Sequence, residues 1–116
     1  MEGLSQKKDF SRLFSRGKRA RANNIKLWYL QKEEGNLRVT FVGKGKKAVD
    51  RNRVRRRLRE AFRVYYYPQW RDKPVDFLFM SNEKLLEESF EDLVEMMGKV
   101  LGEVKLDGVK TKSEAE

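Results

Sequence analysis

Lys44-Gly-Lys-Lys-Ala-Val-Asp-Arg-Asn-Arg-Val-Arg-Arg-Arg-Leu-Arg-Glu-Ala-Phe-Arg63 sets the terms for the rest of the chain. Ten of these twenty residues are lysine or arginine against two acids, Asp50 and Glu60, so the stretch holds +8 of the protein's formal +9. At about 100° per residue, Val54, Leu58, Ala61, Phe62 and Tyr65 fall on one narrow apolar stripe. That spacing predicts a helix, starting at Asp50 or just before it, that packs its stripe against other elements. Arg51, Arg55 and Arg59 climb one edge of the stripe, Asn52, Arg56 and Arg63 lie behind them, and Arg53 and Arg57 occupy the far side. All seven basic residues from 51 to 63 are arginines, whose planar guanidinium groups suit bidentate contacts to phosphates and base edges. A solvated helix face is the plain alternative, but two acids leave the cations repelling one another unless an anionic ligand neutralises them. The stretch predicts a rigid rod that presents arginines to a polyphosphate.

Immediately upstream, Gly43-Lys-Gly-Lys-Lys47 lacks the spacing and the final Lys-Ser/Thr of a phosphate-binding loop, so its glycines read as a turn from strand into helix. Residues 25–31 and 37–43 alternate apolar and polar positions and predict two strands, joined as a hairpin through the tight loop Lys32-Glu-Glu-Gly-Asn36. Trp28 shares its face with Lys26, which describes either a half-open surface or a tryptophan packed at the sheet edge. Residues 18–24 read as a basic connector. Before them, a short helix capped by Ser5 and stopped by Gly17 carries Phe10, Leu13 and Phe14 on one face. Phe10 and Phe14 either pack in the core or line a groove where bases stack.

Downstream, Pro68 ends the arginine helix and residues 69–74 form a loop. Residues 75–81 are almost wholly apolar, which predicts a central strand, parallel to a preceding one because a helix crosses between them. Asn82 or Ser81 caps a last helix with Leu86, Phe90, Leu93, Val94, Met97, Val100 and Leu101 on its core face, and Gly102 ends it. Helix, strand, strand, helix, strand, helix is an α+β pattern, a small mixed sheet packed with helices. It forms one domain over 1–102, followed by a polar, frayed tail over 103–116.

The chain has no cysteine and no histidine, which removes thiolate nucleophiles, disulfides and imidazole bases or ligands. No carboxylates stand in a recognisable acid/base arrangement, so most familiar protein-only catalysis is removed, and no metal and no small-molecule substrate are expected of the protein. Neither a signal peptide nor an apolar run long enough for a membrane is present, which predicts a cytoplasmic protein. Residues 1–26 hold eight basic groups and two acids, whereas 83–116 hold five and ten. The basic surface is therefore expected from the N-terminal segment and the arginine helix.

Asp9-Phe10 with Phe14 and Gly17, Leu37-Arg38-Val39, and above all Ala48-Val49-x-Arg51-Asn52-Arg53-Val54-x-Arg56-x-Leu58-Arg59-Glu60-x-Phe62-Arg63 resemble the bacterial ribonuclease P protein subunit family. The resemblance runs over about residues 4–101. It implies a left-handed βαβ crossover, against the usual hand. It also implies a protein that assembles with a catalytic RNA, which removes the 5′ leader of precursor tRNA using Mg2+. Mapped by motif, leader contacts fall on Phe10, Phe14, Trp28, Arg51, Asn52, Arg55 and Arg59. Catalytic-RNA contacts fall on Arg53, Arg56, Arg57, Arg63, Lys46 and Lys47. Two departures stand out: a tryptophan at 28 where the family carries tyrosine or another aromatic, and a stretch between Val39 and Ala48 about two residues short. A ribosomal or other structural RNA-binding protein is the alternative for the same basic helix.

Overall fold

A computed structural model describes residues 1–106. Its elements are α1 (Lys7–Arg16), β1 (Lys18–Ala22), β2 (Ile25–Gln31), β3 (Arg38–Gly43), α2 (Ala48–Tyr65), the single turn α3 (Tyr67–Trp70), β4 (Val75–Ser81), a 3₁₀ turn (Glu83–Glu87) and α4 (Phe90–Gly102). The four strands form one mixed sheet in the order β1-β2-β4-β3, with β4 antiparallel to β2 and parallel to β3. The α+β class, the central apolar strand and the parallel crossover through α2 are as the sequence predicts.

The predicted hairpin is not formed. β2 and β3 run in opposite directions, but β4 lies between them, so the 32–36 loop spans a strand instead of closing a pair. The burial pattern of β4 gives the reason. Val75, Asp76, Phe77, Leu78, Phe79 and Ser81 are all buried, on both faces, and only a central position covers a strand on both faces and both edges. Backbone bonds from Lys32 N–H to the Pro74 carbonyl and from Leu37 N–H to the Arg71 carbonyl tie the loop across the end of β4.

Residues 18–22, read from sequence as a connector, are instead the edge strand β1, antiparallel to β2 with Ala20 opposite Leu27 and Ala22 opposite Ile25. The period-two signal was present in Arg-Ala-Arg-Ala, but the side chains are too small and charged to mark a strand by hydrophobicity. Gly17 does not adopt a left-handed stop; its φ is −72°. It is glycine because a Cβ there would run into the Leu13 and Tyr29 carbonyls, where helix and sheet backbones meet. Gln6, not Ser5, occupies the cap position of α1, without a side-chain bond.

Strand alternation gives the sheet two unlike faces. Ile25, Leu27, Tyr29, Val39, Phe77 and Phe79 point to the main core, where α2 delivers Val54, Leu58, Ala61 and Phe62 and α4 delivers Leu93, Met96, Met97, Val100 and Leu101. Phe62 stands at its centre, with rings of Phe77, Phe79, Phe41 and Tyr67 at 5.4–6.4 Å. The opposite face carries a smaller cluster, Leu4, Leu13 and Leu78, flanked by Phe10, Trp28, Leu30, Val42 and Met80. α1 lies on this second face.

Three boundaries differ from expectation. Residues 67–70, read from sequence as the end of the arginine helix and the start of the 69–74 loop, make the turn α3, which places Trp70 on Phe77 at 5.1 Å. Because Tyr67 and Trp70 fill that end of the core, Tyr65 at the end of the apolar stripe is left 51% exposed. The predicted last helix is split: Asn82 caps the 3₁₀ turn, and Ser89, accepting from the Asp92 N–H, caps α4 separately. Val104 and Leu106, assigned by sequence to the polar tail, pack against the main core; the rest of that tail, 107–116, lies outside the described residues.

Candidate nucleic-acid interface

The face bearing α1 is the more open one. Cross-strand pairing lines up Arg19, Trp28, Leu78 and Thr40 in one row, and Arg21, Lys26, Met80 and Val42 in the next. The floor is thus apolar at the centre and basic towards β1. Phe14 is 48% exposed and meets Trp28 edge to face, ring centroids 5.4 Å apart. An exposed ring held by a second aromatic offers a stacking surface at little entropic cost. Phe10 is half-buried against the small cluster, so it supports this face more than it presents a ring. Arg19, Arg21 and Lys26 are exposed beside the pair and were not singled out from sequence. Arg19, Arg21, Lys26 and Trp28 also line a recess of about 440 Å³ at the β1 edge.

A clamp at the far end of this face fixes α1. The third row is Leu30, Asp76 and Arg38. Arg38 on β3 donates from Nε to Asp76 Oδ1 at 2.9 Å and from Nη2 to Oδ2 at 2.7 Å, a bidentate pair across the strands. Its Nη1 donates to Asp9 Oδ2 of α1 at 3.3 Å, and Lys32 Nζ approaches Asp76 Oδ1 at 3.0 Å. Both carboxylates are buried, Asp9 at 8% and Asp76 at 5% exposure. The hydrogen bonds to Asp76 above all raise the Arg38 pKa further above its ordinary value, with the Asp76 and Asp9 charges adding to the effect. α1 is also bonded through the segment before it: Val39 N–H donates to the Glu2 carbonyl, and Leu4 N–H to Thr40 Oγ1 at 2.8 Å.

The arginine helix lies across the opposite face, and this separates two groups that the sequence placed together. Arg55 and Arg59 do not stand beside Phe14 and Trp28. They line a recess of about 360 Å³ at the outer edge of β3 with Met1, Val39, Thr40, Phe41 and Arg56. Helical geometry ordered the column correctly but left the sheet between it and the aromatic pair. Gly43 sets how closely the helix approaches: a Cβ there would strike the Arg51 carbonyl and crowd Arg55 N. The glycine therefore serves contact with α2, not a turn.

The remaining predicted residues divide by what they already hold. Arg51 donates from Nη1 to the Gly45 and Lys46 carbonyls at 2.9 and 3.2 Å, so it organises the loop that carries exposed Lys44, Lys46 and Lys47. Asn52 Oδ1 accepts a long 3.5 Å bond from Arg55 Nη2. Arg53 and Arg56 are exposed and meet no carboxylate among the described residues. Arg63 pairs with Glu60 at 2.5 Å in the open. Arg57 is not free on the far side: its Nη2 donates to the Glu88 carbonyl at 2.9 Å, and its guanidinium lies 5.9 Å over the Phe90 ring. It ties α2 to the start of α4.

Among the described residues no group of three potential metal-ligating side chains converges, and no helix is long and apolar enough to cross a membrane. A protein-family model described as Ribonuclease P matches residues 1–105. The chain is 30% identical over 111 residues to the ribonuclease P protein component of Pelotomaculum thermopropionicum, covering 92% of this chain and 96% of that protein. Its fold is similar to the RNase P protein of Thermotoga maritima, with a TM-score of 0.75 at 24% identity over 91% of this chain and all of that one. It is similar too to the RNase P protein of Staphylococcus aureus, with a TM-score of 0.72 at 17% identity, covering 88% and 94%.

Proposed function

The chain belongs to the ribonuclease P protein family, and from that premise we propose that it binds the catalytic RNA of ribonuclease P together with the 5′ leader of precursor tRNA. Its assembly is an endoribonuclease that matures tRNA 5′ ends, in which this chain binds and positions while the RNA carries the chemistry. Mg2+, held by that RNA, would supply the water-activating chemistry, and the residues of this chain bind and position. The protein's share follows from its surfaces. Phe14 and Trp28 stack unpaired leader bases, and Arg19, Arg21 and Lys26 beside them meet the leader phosphates. On the other side of the sheet, the arginines of α2 and the lysines of its preceding loop take the phosphate backbone of the catalytic RNA, Arg55 and Arg59 at the β3 edge marking the boundary between the two.

The single observation that carries this reading is the exposed Phe14 ring against half-buried Trp28 on a basic-rimmed sheet face, on the other side of the sheet from the arginine helix. One molecule can thereby hold two nucleic-acid segments at once. Reconstitution with a bacterial ribonuclease P RNA at low magnesium tests it. Leader cleavage should be restored by the protein, absent from protein alone, and accompanied by tighter binding of precursor than of mature tRNA. Equal affinity for the two tRNAs would remove the leader from the account; cleavage by RNA-free protein would remove the division of labour.

A further inference from the structure

A second aromatic site lies between the arginine helix and α4, away from the leader face. Tyr65, the last residue of α2, is 51% exposed, and its ring centroid is 6.2 Å from that of half-buried Phe90, the first residue of α4. Phe90 closes one wall of a recess of about 380 Å³ whose other wall is Arg56, Arg57, Arg59 and Glu60. The Glu60 carboxylate is engaged by Arg63, and Arg57 lies over the Phe90 ring with its Nη2 on the Glu88 carbonyl. One donor in this wall is unmatched: Arg57 Nε is buried without an acceptor among the described residues. That N–H is shielded from solvent, so its desolvation cost is carried by the fold.

We infer that the recess walled by Phe90 and the α2 arginines, with the exposed Tyr65 ring beside Phe90, receives one unstacked nucleotide of the catalytic RNA. Its base packs on the Tyr65 and Phe90 rings, and its phosphate meets Arg56. This deepens, and rests on, the reading that the outer face of α2 meets that RNA. The occupant follows from the chemistry of the walls. An apolar peptide would bury Arg56 and Arg59 unpaired, and a bare phosphate would leave both rings unused, whereas a nucleotide satisfies both. The acidic first turn of α4, Glu91 and Asp92, repels phosphates from its own side. The RNA backbone must then run over α2, and only the base reaches Phe90.

The test uses the full chain and a bacterial ribonuclease P RNA, with equilibrium binding measured across a salt series. Tyr65→Ala and Phe90→Leu should each weaken binding by about fivefold to a hundredfold, the range of one lost base stack, with an unchanged salt slope. Arg56→Ala should lower that slope by roughly one unit. Affinity for a single-stranded leader oligonucleotide should not change in any of the three. In the assembled complex, chemical probing of 2′-hydroxyl reactivity should show one unpaired nucleotide that is restrained by wild-type protein and released by Tyr65→Ala. Wild-type affinity and footprint for Tyr65→Ala would overturn the inference. If Arg53→Ala with Arg56→Ala also binds as wild type, the assignment of this helix face to the catalytic RNA falls as well. Circular dichroism guards against unfolding of Phe90→Leu, and the exposed Tyr65 keeps the test decisive if that variant fails to fold.

Discussion

Arg38→Ala removes the cation that holds two buried carboxylates. Three of its hydrogen bonds are lost: two to Asp76, at 2.9 and 2.7 Å, and one to Asp9 at 3.3 Å. Removing one partner of a buried ion pair costs about 3–5 kcal/mol, chiefly because the other charge stays desolvated. Here Lys32 remains 3.0 Å from Asp76 and the Arg38 side chain is 22% exposed, so the expected loss is at the lower end, about 3 kcal/mol. At about 4–8 °C per kcal/mol for a domain of this size, the melting temperature should fall by roughly 12–24 °C. Function should suffer selectively. Asp9 is the α1 end of the clamp, and among the described residues the buried apolar cluster that seats the helix is small: its own Leu13 with Leu4 and Leu78. Well below the melting temperature, leader affinity should therefore drop while affinity for the catalytic RNA, which we assign to α2 on the other face, persists. Arg38→Lys, which keeps the charge but not the bidentate fork, should fall between. Thermal denaturation together with the two binding measurements checks this. A stability loss under about 1 kcal/mol, or equal loss of both affinities, would refute the clamp. The raised Arg38 pKa contributes stability that is fully present below the unfolded arginine value and lost only as pH rises through the folded one, so no titration from this group should appear between about pH 6 and 9.

Phe14→Ala should cost about 1–3 kcal/mol of leader affinity with melting changed by less than about 0.5 kcal/mol, because the ring is half-exposed; an unchanged leader affinity in a binding titration would dismiss the stack. Gly43→Ala forces a Cβ against the Arg51 carbonyl, so it should destabilise by about 1–3 kcal/mol and weaken catalytic-RNA binding, both read by melting and titration. Tyr66 donates its hydroxyl to the Val94 carbonyl at 2.6 Å, and burial pushes its pKa above the ordinary 10. A raised folded pKa means stability that is whole below about pH 10 and lost as pH rises through the folded value, so Tyr66→Phe should cost about 1 kcal/mol at neutral pH yet lose less than wild type on going to strongly alkaline solution. Parallel alkaline melting curves for the two proteins would contradict it.

By itself the sequence determined the elements whose signal is periodic and strong. The apolar stripe of α2, the unbroken apolar run of β4 and the alternation of β2 each follow from side-chain spacing within one segment, and the structure buries Val54, Leu58, Phe62, Phe77 and Leu27 as that spacing requires. The arginine column was legible for the same reason, whereas spacing left Phe14 and Trp28 open between core and groove, and the family resemblance singled them out. Only the tertiary structure decided what lies beside what. Insertion of β4 between β2 and β3 depends on which strand can bury both faces, a comparison between segments that no single segment contains. That insertion, with α1 on one face and α2 on the other, parted Arg55 and Arg59 from the aromatic pair. Backbone contacts made the same kind of decision at Gly17 and Gly43, where glycine marks the approach of another element. It is likewise long-range packing that turned Arg57 into a tether and Arg38 into a clamp: Glu88 lies 31 residues from the one, and Asp76 lies 38 from the other. Spacing along a chain fixes which way a side chain points from its own element; which partner waits there is set by the sum of burial over all elements at once.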